Sequence, residues 1–220
     1  MRGVSPLVLS LQVSVVATLV AGLAGIALAR VLARGRFRGR DLLELVATAP
    51  MVLPPTVLGY FLLVVLGRRS ALGQLWEGLT GGPLVFTRTG AIVAASVACL
   101  PLVVRSARAA LEDVDESLLW AARTLGAGPA RRFFTVELPV AARGIGAGLA
   151  LGFARAMGDF GVTLMVAGNI PGQTRTASLA IYDALQAGHD TEATGLALAL
   201  TAVALAVLLL AGRLVRRVAT

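Results

Sequence analysis

The sequence predicts an all-α integral membrane protein with five membrane-crossing helices, and three observations lead there. The 220 residues are 57% hydrophobic and only 15% charged, against about 25% charged in ordinary soluble domains. Five stretches are long and apolar enough to cross a bilayer, which takes about 20 residues in a helix. The 20 basic residues are all arginine, and they cluster between those stretches rather than within them. A pI near 11.4 would otherwise point to nucleic acid. Clustering of this kind follows the positive-inside rule instead, so the expected partner is the lipid bilayer and no nucleic acid. The chain reads as one transmembrane domain over 1–220, with spans near 7–32, 42–66, 86–104, 145–166 and 196–214.

The first stretch resembles a signal peptide, with Arg2 before it and Ala27-Leu28-Ala29 imitating a cleavage site. Its apolar run is far longer than a signal core, and Arg30, Arg34, Arg36, Arg38 and Arg40 follow, so it reads as a retained helix. Ser10, Ser14 and Thr18 recur every fourth residue on one face, which suits either helix contact or a polar pathway. The second stretch holds Pro50, Pro54 and Pro55. Each proline removes a backbone donor, and freed carbonyls at membrane depth must face protein or water. This helix is therefore expected to be broken and inward-facing, or else merely kinked. The third stretch contains Cys99, the only cysteine, which excludes a disulfide within one chain.

The fourth stretch carries Gly144, Gly146, Gly148 and Gly152, then Arg155, Gly158, Asp159, Phe160 and Gly161. Arg155 and Asp159 are four residues apart and share a helix face. Ionisable residues inside a membrane are costly and mark functional sites by default. Two readings stay open: an arginine beside an anion's path, or a charge pair that locks packing. The fifth stretch follows a short helix expected near 179–187, a sixth helix lying along the outer surface. Fourteen arginines fall on one side of this arrangement and five on the other (Arg2, Arg68, Arg69, Arg88 and Arg175), with Arg155 left inside a span. The rule then places the N-terminus outside and the C-terminus in the cytoplasm.

Between the third and fourth stretches, Leu111, Val114, Leu118, Leu119 and Ala122 recur at helical spacing. Leu125-Gly126-Ala127-Gly128-Pro129 ends that helix, since glycine suits a left-handed cap and proline cannot continue it. Phe133 to Pro139 then lead into the fourth span. Such a protrusion, over 111–139, suits docking on a partner or lying on the membrane surface. No catalytic constellation or metal cluster is visible: His189, the only histidine, sits alone in a polar loop. A phosphate-binding G-x-x-x-x-G-K-[ST] loop needs a lysine the chain lacks. No enzyme activity and no cofactor are expected in this chain.

Trp120 to Pro139, WAARTLGAGPARRFFTVELP, resembles the EAA loop of ABC importer permeases, with Ala121, Ala122, Gly126, Leu138 and Pro139 matching. Trp120 stands where the motif has Glu. The resemblance covers nearly the whole chain and is closest to the molybdate-type permeases. Its strongest segment is FARAMGDFGVTLMVAGNIPGQTRTASLAIYD, in which Asp159 replaces the usual Glu of Gly-Glu-Phe-Gly.

The resemblance implies a type I importer permease forming the pathway as a homodimer. It also implies cytoplasmic ABC ATPase subunits that use ATP and Mg, an extracytoplasmic oxyanion-binding protein, and a place in the bacterial inner membrane. Trp120, Ala121, Ala122, Gly126, Leu138 and Pro139 would couple to the ATPase. Pro54, Pro55, Arg155, Asp159, Phe160 and Gly161 are candidates for the pathway and gate. Asn169, Pro171, Gly172, Thr174, Arg175 and Thr176 would form the outer loop. The cargo would be molybdate; the alternatives are tungstate, sulfate or thiosulfate in the same machine, or an ion-coupled secondary transporter.

Overall fold

The computed structural model describes residues 4–35 and 37–217; Arg2 and Arg36, counted above for orientation, lie outside them. In chain order the helices are α1 (Pro6–Arg34), α2 (Arg40–Val52), α3 (Pro55–Leu66), α4 (Ala71–Thr80), α5 (Arg88–Glu112) and α6 (Glu116–Thr124). They continue with α7 (Pro129–Arg132), a π-helical turn (Phe133–Glu137), α8 (Leu138–Met157), α9 (Gly161–Ala167), α10 (Ala177–Gln186) and α11 (Asp190–Arg217). No strand occurs among the described residues. Among the described residues, four helices are long and apolar enough to cross a membrane, or five spans if the bent pair α2–α3 counts as one.

α5 is the centre. The apolar heart of this helix is 61% buried, against 6% for α11 at the edge, and α1, α2, α8 and α9 all pack on it. The packing depends on small residues. Leu9, Val13, Ala17 and Ala21 of α1 meet Ala91, Ala95, Cys99 and Val103. A Cβ at Gly144 would lie 2.5 Å from that of Ala110, and one at Gly148 2.6 Å from that of Ser106. Without a hydrophobic drive between helices in lipid, close backbone approach of this kind supplies the attraction. Ser10, Ser14 and Thr18 are all buried: Ser10 accepts from the Ala177 amide at 2.8 Å and Thr18 donates to the Ser14 carbonyl. That face makes helix contact.

The helices depart from the apolar stretches at several points. Stretch 42–66 forms two helices bent by 119°, broken where Leu53 and Pro54 are extended (ψ 138° for both). A residue before proline disfavours the α region, and two such residues in succession end α2. The helix expected over 145–166 instead starts at Pro129, runs to Met157 as one 29-residue rod, and stops at Gly158-Asp159-Phe160 before α9. Hydropathy misses the rod's first half because Arg131, Arg132 and Arg143 lie in it. Arg155 accordingly sits in the last turn of α8, far from the arginine-rich end.

α5 runs on to Glu112, so the amphipathic run from Leu111 is split: Leu111 belongs to α5, and α6 starts afresh at an Asp115 cap. The short helix near 179–187 is α10. α4 was not foreseen, although Ser70 caps the Gly73 amide in the manner typical of a helix start.

Candidate functional site

Two chain breaks meet in the bundle. α3 begins at Pro55 and α9 at Gly161, and a Cβ on Gly161 would lie 2.9 Å from the Pro55 Cβ; one turn on, a Cβ on Gly59 would lie 2.7 Å from that of Met165. Only glycine allows these approaches, and they bring together two sets of backbone groups that no continuing helix satisfies. Leu58, Ala94, Ala98, Val162 and Val166 pack behind the junction. Pro54, Pro55, Thr56 and Gly158, at the two breaks, are exposed.

Asp159 lies in the second break and is 2% exposed. Its Oδ2 accepts from the Thr163 amide at 2.9 Å and from the Thr163 hydroxyl at 2.6 Å. Its Oδ1 accepts from Arg155 Nη1 at 2.9 Å. Carboxylate oxygens at a helix start satisfy orphan amides and favour the positive end of the dipole, so Asp159 opens α9 as well as pairing with Arg155. One turn before Arg155, Gly152 lies against Val103 and Cys99 near the middle of α5. The pair is therefore deep, and the Arg155 side chain is still 34% exposed. Phe160 packs against Tyr182 of α10 with the rings tilted by 54° and their centres 5.1 Å apart.

The 169–176 loop closes on itself. Arg175 pairs with Asp183 at 2.9 Å and donates to Asn169 Oδ1, while Asn169 Nδ2 donates to Asp183. Thr174, 1% exposed, accepts from the Ile170 amide. Arg88 at the start of α5 donates to the carbonyls of Gly172 and Gln173. Pro171 is exposed and Thr176 buried. Asn169, Thr174 and Arg175 are thus spent on holding the loop's shape, while the buried Thr176 hydroxyl has no partner among the described residues.

At the arginine-rich end, α6 presents Trp120 (59% exposed) with Arg123 stacked over its ring at 5.0 Å. Ala121 is exposed and Ala122 half-buried. Gly126 turns the chain at φ 76°, a left-handed conformation that glycine adopts without steric cost. Leu138 packs against the cluster of Ala29, Ala107 and Leu111, and Pro139 is exposed inside the rod, directly after the π-helical turn. Asp115 caps α6 through the Ser117 amide at 2.8 Å, and that bond holds its carboxyl below the usual range.

Beneath α6 lies a group that the sequence reading missed. Glu137, 1% exposed, has Arg30 Nε at 3.6 Å, Arg34 Nε at 3.8 Å and Arg132 Nε at 3.5 Å. Arg34 also donates to the Leu111 carbonyl at 2.7 Å. Arg30 donates to the Pro129 carbonyl and stacks on Phe133. One carboxylate so ties α1, α7 and α8 together and reaches the end of α5. A cavity of about 670 Å³ opens beside it, lined by Arg34, Arg40, Trp120, Arg123, Arg132 and Glu137 among others. The only local signal was a Glu set among hydrophobics in Val136-Glu137-Leu138. No metal-ligating cluster occurs among the described residues.

Residues 21–220 match the family described as binding-protein-dependent transport system inner membrane component. The molybdenum transport system permease protein of Escherichia coli K12 is 45% identical over 94% of this chain and 91% of its own. A putative molybdenum transport system permease protein of Bacillus subtilis is 40% identical over 85% and 82%. A probable sulfate transport system permease protein of Chlorokybus atmophyticus is 36% identical over 87% and 66%.

Among solved structures, an inward-facing MetNI methionine ABC transporter has a TM-score of 0.75 at 18% identity, covering 96% of this chain and 93% of that one. A bacterial alginate ABC transporter reaches 0.78 at 17%, covering 98% and 78%; at such identities these two show the fold. With its helices, its two facing breaks and a match over residues 21–220, the chain belongs to the binding-protein-dependent transport system inner membrane components.

Proposed function

We propose that the chain is the membrane-spanning permease subunit of an ATP-driven importer carrying a tetrahedral oxyanion, molybdate, by alternating access. The observation that carries this is the 45% identity to a molybdenum permease over 94% of the chain; the sulfate relative is more distant. Family membership removes the secondary-transporter alternative. Two copies would enclose the pathway. Cytoplasmic ATPase subunits, with their own ATP and Mg, would seat against α6 around Trp120, Ala121, Ala122 and Gly126. A binding protein would deliver cargo at the opposite end, near the 169–176 loop.

The arginine count supports an external N-terminus and a cytoplasmic C-terminus. Closure of the ATPases would push α6. The movement would travel through the Glu137 hub into α1 and the rod α7–α8, and so to the breaks at Pro54 and Asp159.

The test is reconstitution with the partner ATPase and binding protein in proteoliposomes. ATP-dependent uptake and ATPase stimulation by molybdate-loaded binding protein are expected, with sulfate ineffective. Stimulation by sulfate alone would change the cargo, and absence of any ATP-dependent uptake would overturn the reading.

A further inference from the structure

We propose that the Arg155 guanidinium is a docking point for the oxyanion in transit, with Asp159 as the built-in competitor that takes the arginine back. This rests on the reading that the chain conducts an oxyanion. Three observations carry it. First, Asp159 does not depend on Arg155: its Oδ2 is held by two donors from Thr163, so the carboxylate stays in place when the arginine turns away.

Second, Arg155 shares a line with Ala147 and Leu151 at four-residue spacing, the side of α8 that is left open, and a third of its side chain is exposed. A charged group at this depth is not left facing lipid. Third, Gly158 in the break just after Arg155 is exposed, and so are Pro54, Pro55 and Thr56 at the α2–α3 break that meets it through Gly161 and Pro55. Irregular backbone at membrane depth belongs on a protein contact or a watery cavity.

The chemistry fits a passing dianion. A guanidinium offers a planar fork that grips two oxygens of an oxyanion at once, whereas Asp159 takes one N–H through one oxygen. An arriving oxyanion displaces a singly bonded carboxylate. The waiting carboxylate then recaptures the arginine and prevents a trap, since passage requires binding weak enough to leave.

The experiment compares ATP-driven molybdate uptake in the full reconstituted complex for wild type, Arg155→Gln, Arg155→Lys, Asp159→Asn and the double variant Arg155→Gln/Asp159→Asn. Docking predicts at least a tenfold fall for Arg155→Gln and an equally low double variant. Arg155→Lys, which keeps the charge and loses the fork, should lie between Arg155→Gln and wild type. A purely structural pair predicts instead that the double variant, neutral and still hydrogen-bonded, regains at least half of wild-type uptake, and that result overturns the proposal. So does undiminished uptake by Arg155→Gln. If Arg155→Gln fails to co-purify with the ATPase, the lysine and double variants decide by the same criteria. Absence of uptake in wild type counts against the importer reading instead, and so is distinguishable.

Discussion

Glu137 and Asp159 are both almost fully buried carboxylates held by arginine, at opposite ends of the same rod, and they are built differently. Glu137 has three guanidiniums at 3.5 to 3.8 Å, drawn from α1 and α7. Asp159 has one, at 2.9 Å, and takes its other bonds from the helix it starts. The first arrangement is redundant: three ion pairs at 3.5 to 3.8 Å link α1 and α7 to one carboxylate, and no single arginine carries it. The second leaves its arginine exchangeable, because the carboxylate is secured without it. In the proposed mechanism, a hub that transmits force and a pair that opens to cargo would call for these two designs.

The sharpest way to break the contrast is Glu137→Gln. Three guanidiniums would then surround a neutral amide, and losing one partner of a buried ion network costs about 3–5 kcal/mol. The lower end is expected here because Arg30 and Arg34 are partly exposed. Thermal unfolding of the purified complex should show the loss as a lower Tm. An unchanged Tm would mean that the hub holds nothing.

Next comes Gly161→Val. Its Cβ would meet Pro55 at 2.9 Å, and overpacking of this kind costs about 1–3 kcal/mol. α9 would be pushed from α3 and the Thr163 clamp loosened, so Tm and uptake should fall together.

Thr163→Val keeps the shape and the amide but removes the hydroxyl donor, a loss of about 1 kcal/mol. Asp159 would then lean harder on Arg155, so uptake should slow by more than the small stability change explains; equal uptake would show that the clamp is not used. The smallest effect is at Asp115. Its folded pKa is depressed by the Ser117 amide, so its capping contribution is full above the unfolded aspartate value. It is lost as pH falls through the depressed one. Amide exchange in α6 should therefore quicken in that acidic window, and Asp115→Asn should remove the dependence.

How far each region was legible follows from the range of its interactions. Arg155 and Asp159 carry opposite charges four residues apart, and that spacing points to the pair even though α8 stops at Met157. Pro54 and Pro55 announce a break for the same local reason. The close fit of Gly59 and Gly161 against Met165 and Pro55 joins residues about a hundred positions apart, which no local pattern encodes. Glu137 finds Arg30 and Arg34 about a hundred residues back, so nothing near it in the chain shows that it is paired. Thr163 is four residues beyond Asp159 but across a break, where helical spacing gave no warrant to join them. In the 169–176 loop, Asn169 and Arg175 bond to each other and to Asp183 of α10, a partner that the loop's own residues do not single out.

The most direct test of this division is to measure molybdate moved per ATP hydrolysed in proteoliposomes, for Glu137→Gln and Arg155→Gln side by side. In the Glu137→Gln complex, ATP hydrolysis should no longer respond to loaded binding protein. In the Arg155→Gln complex, molybdate moved per ATP should fall about tenfold, the factor that a loss of roughly 1.4 kcal/mol at the rate-limiting step gives. The same defect in both variants, or the two defects exchanged, would contradict the account.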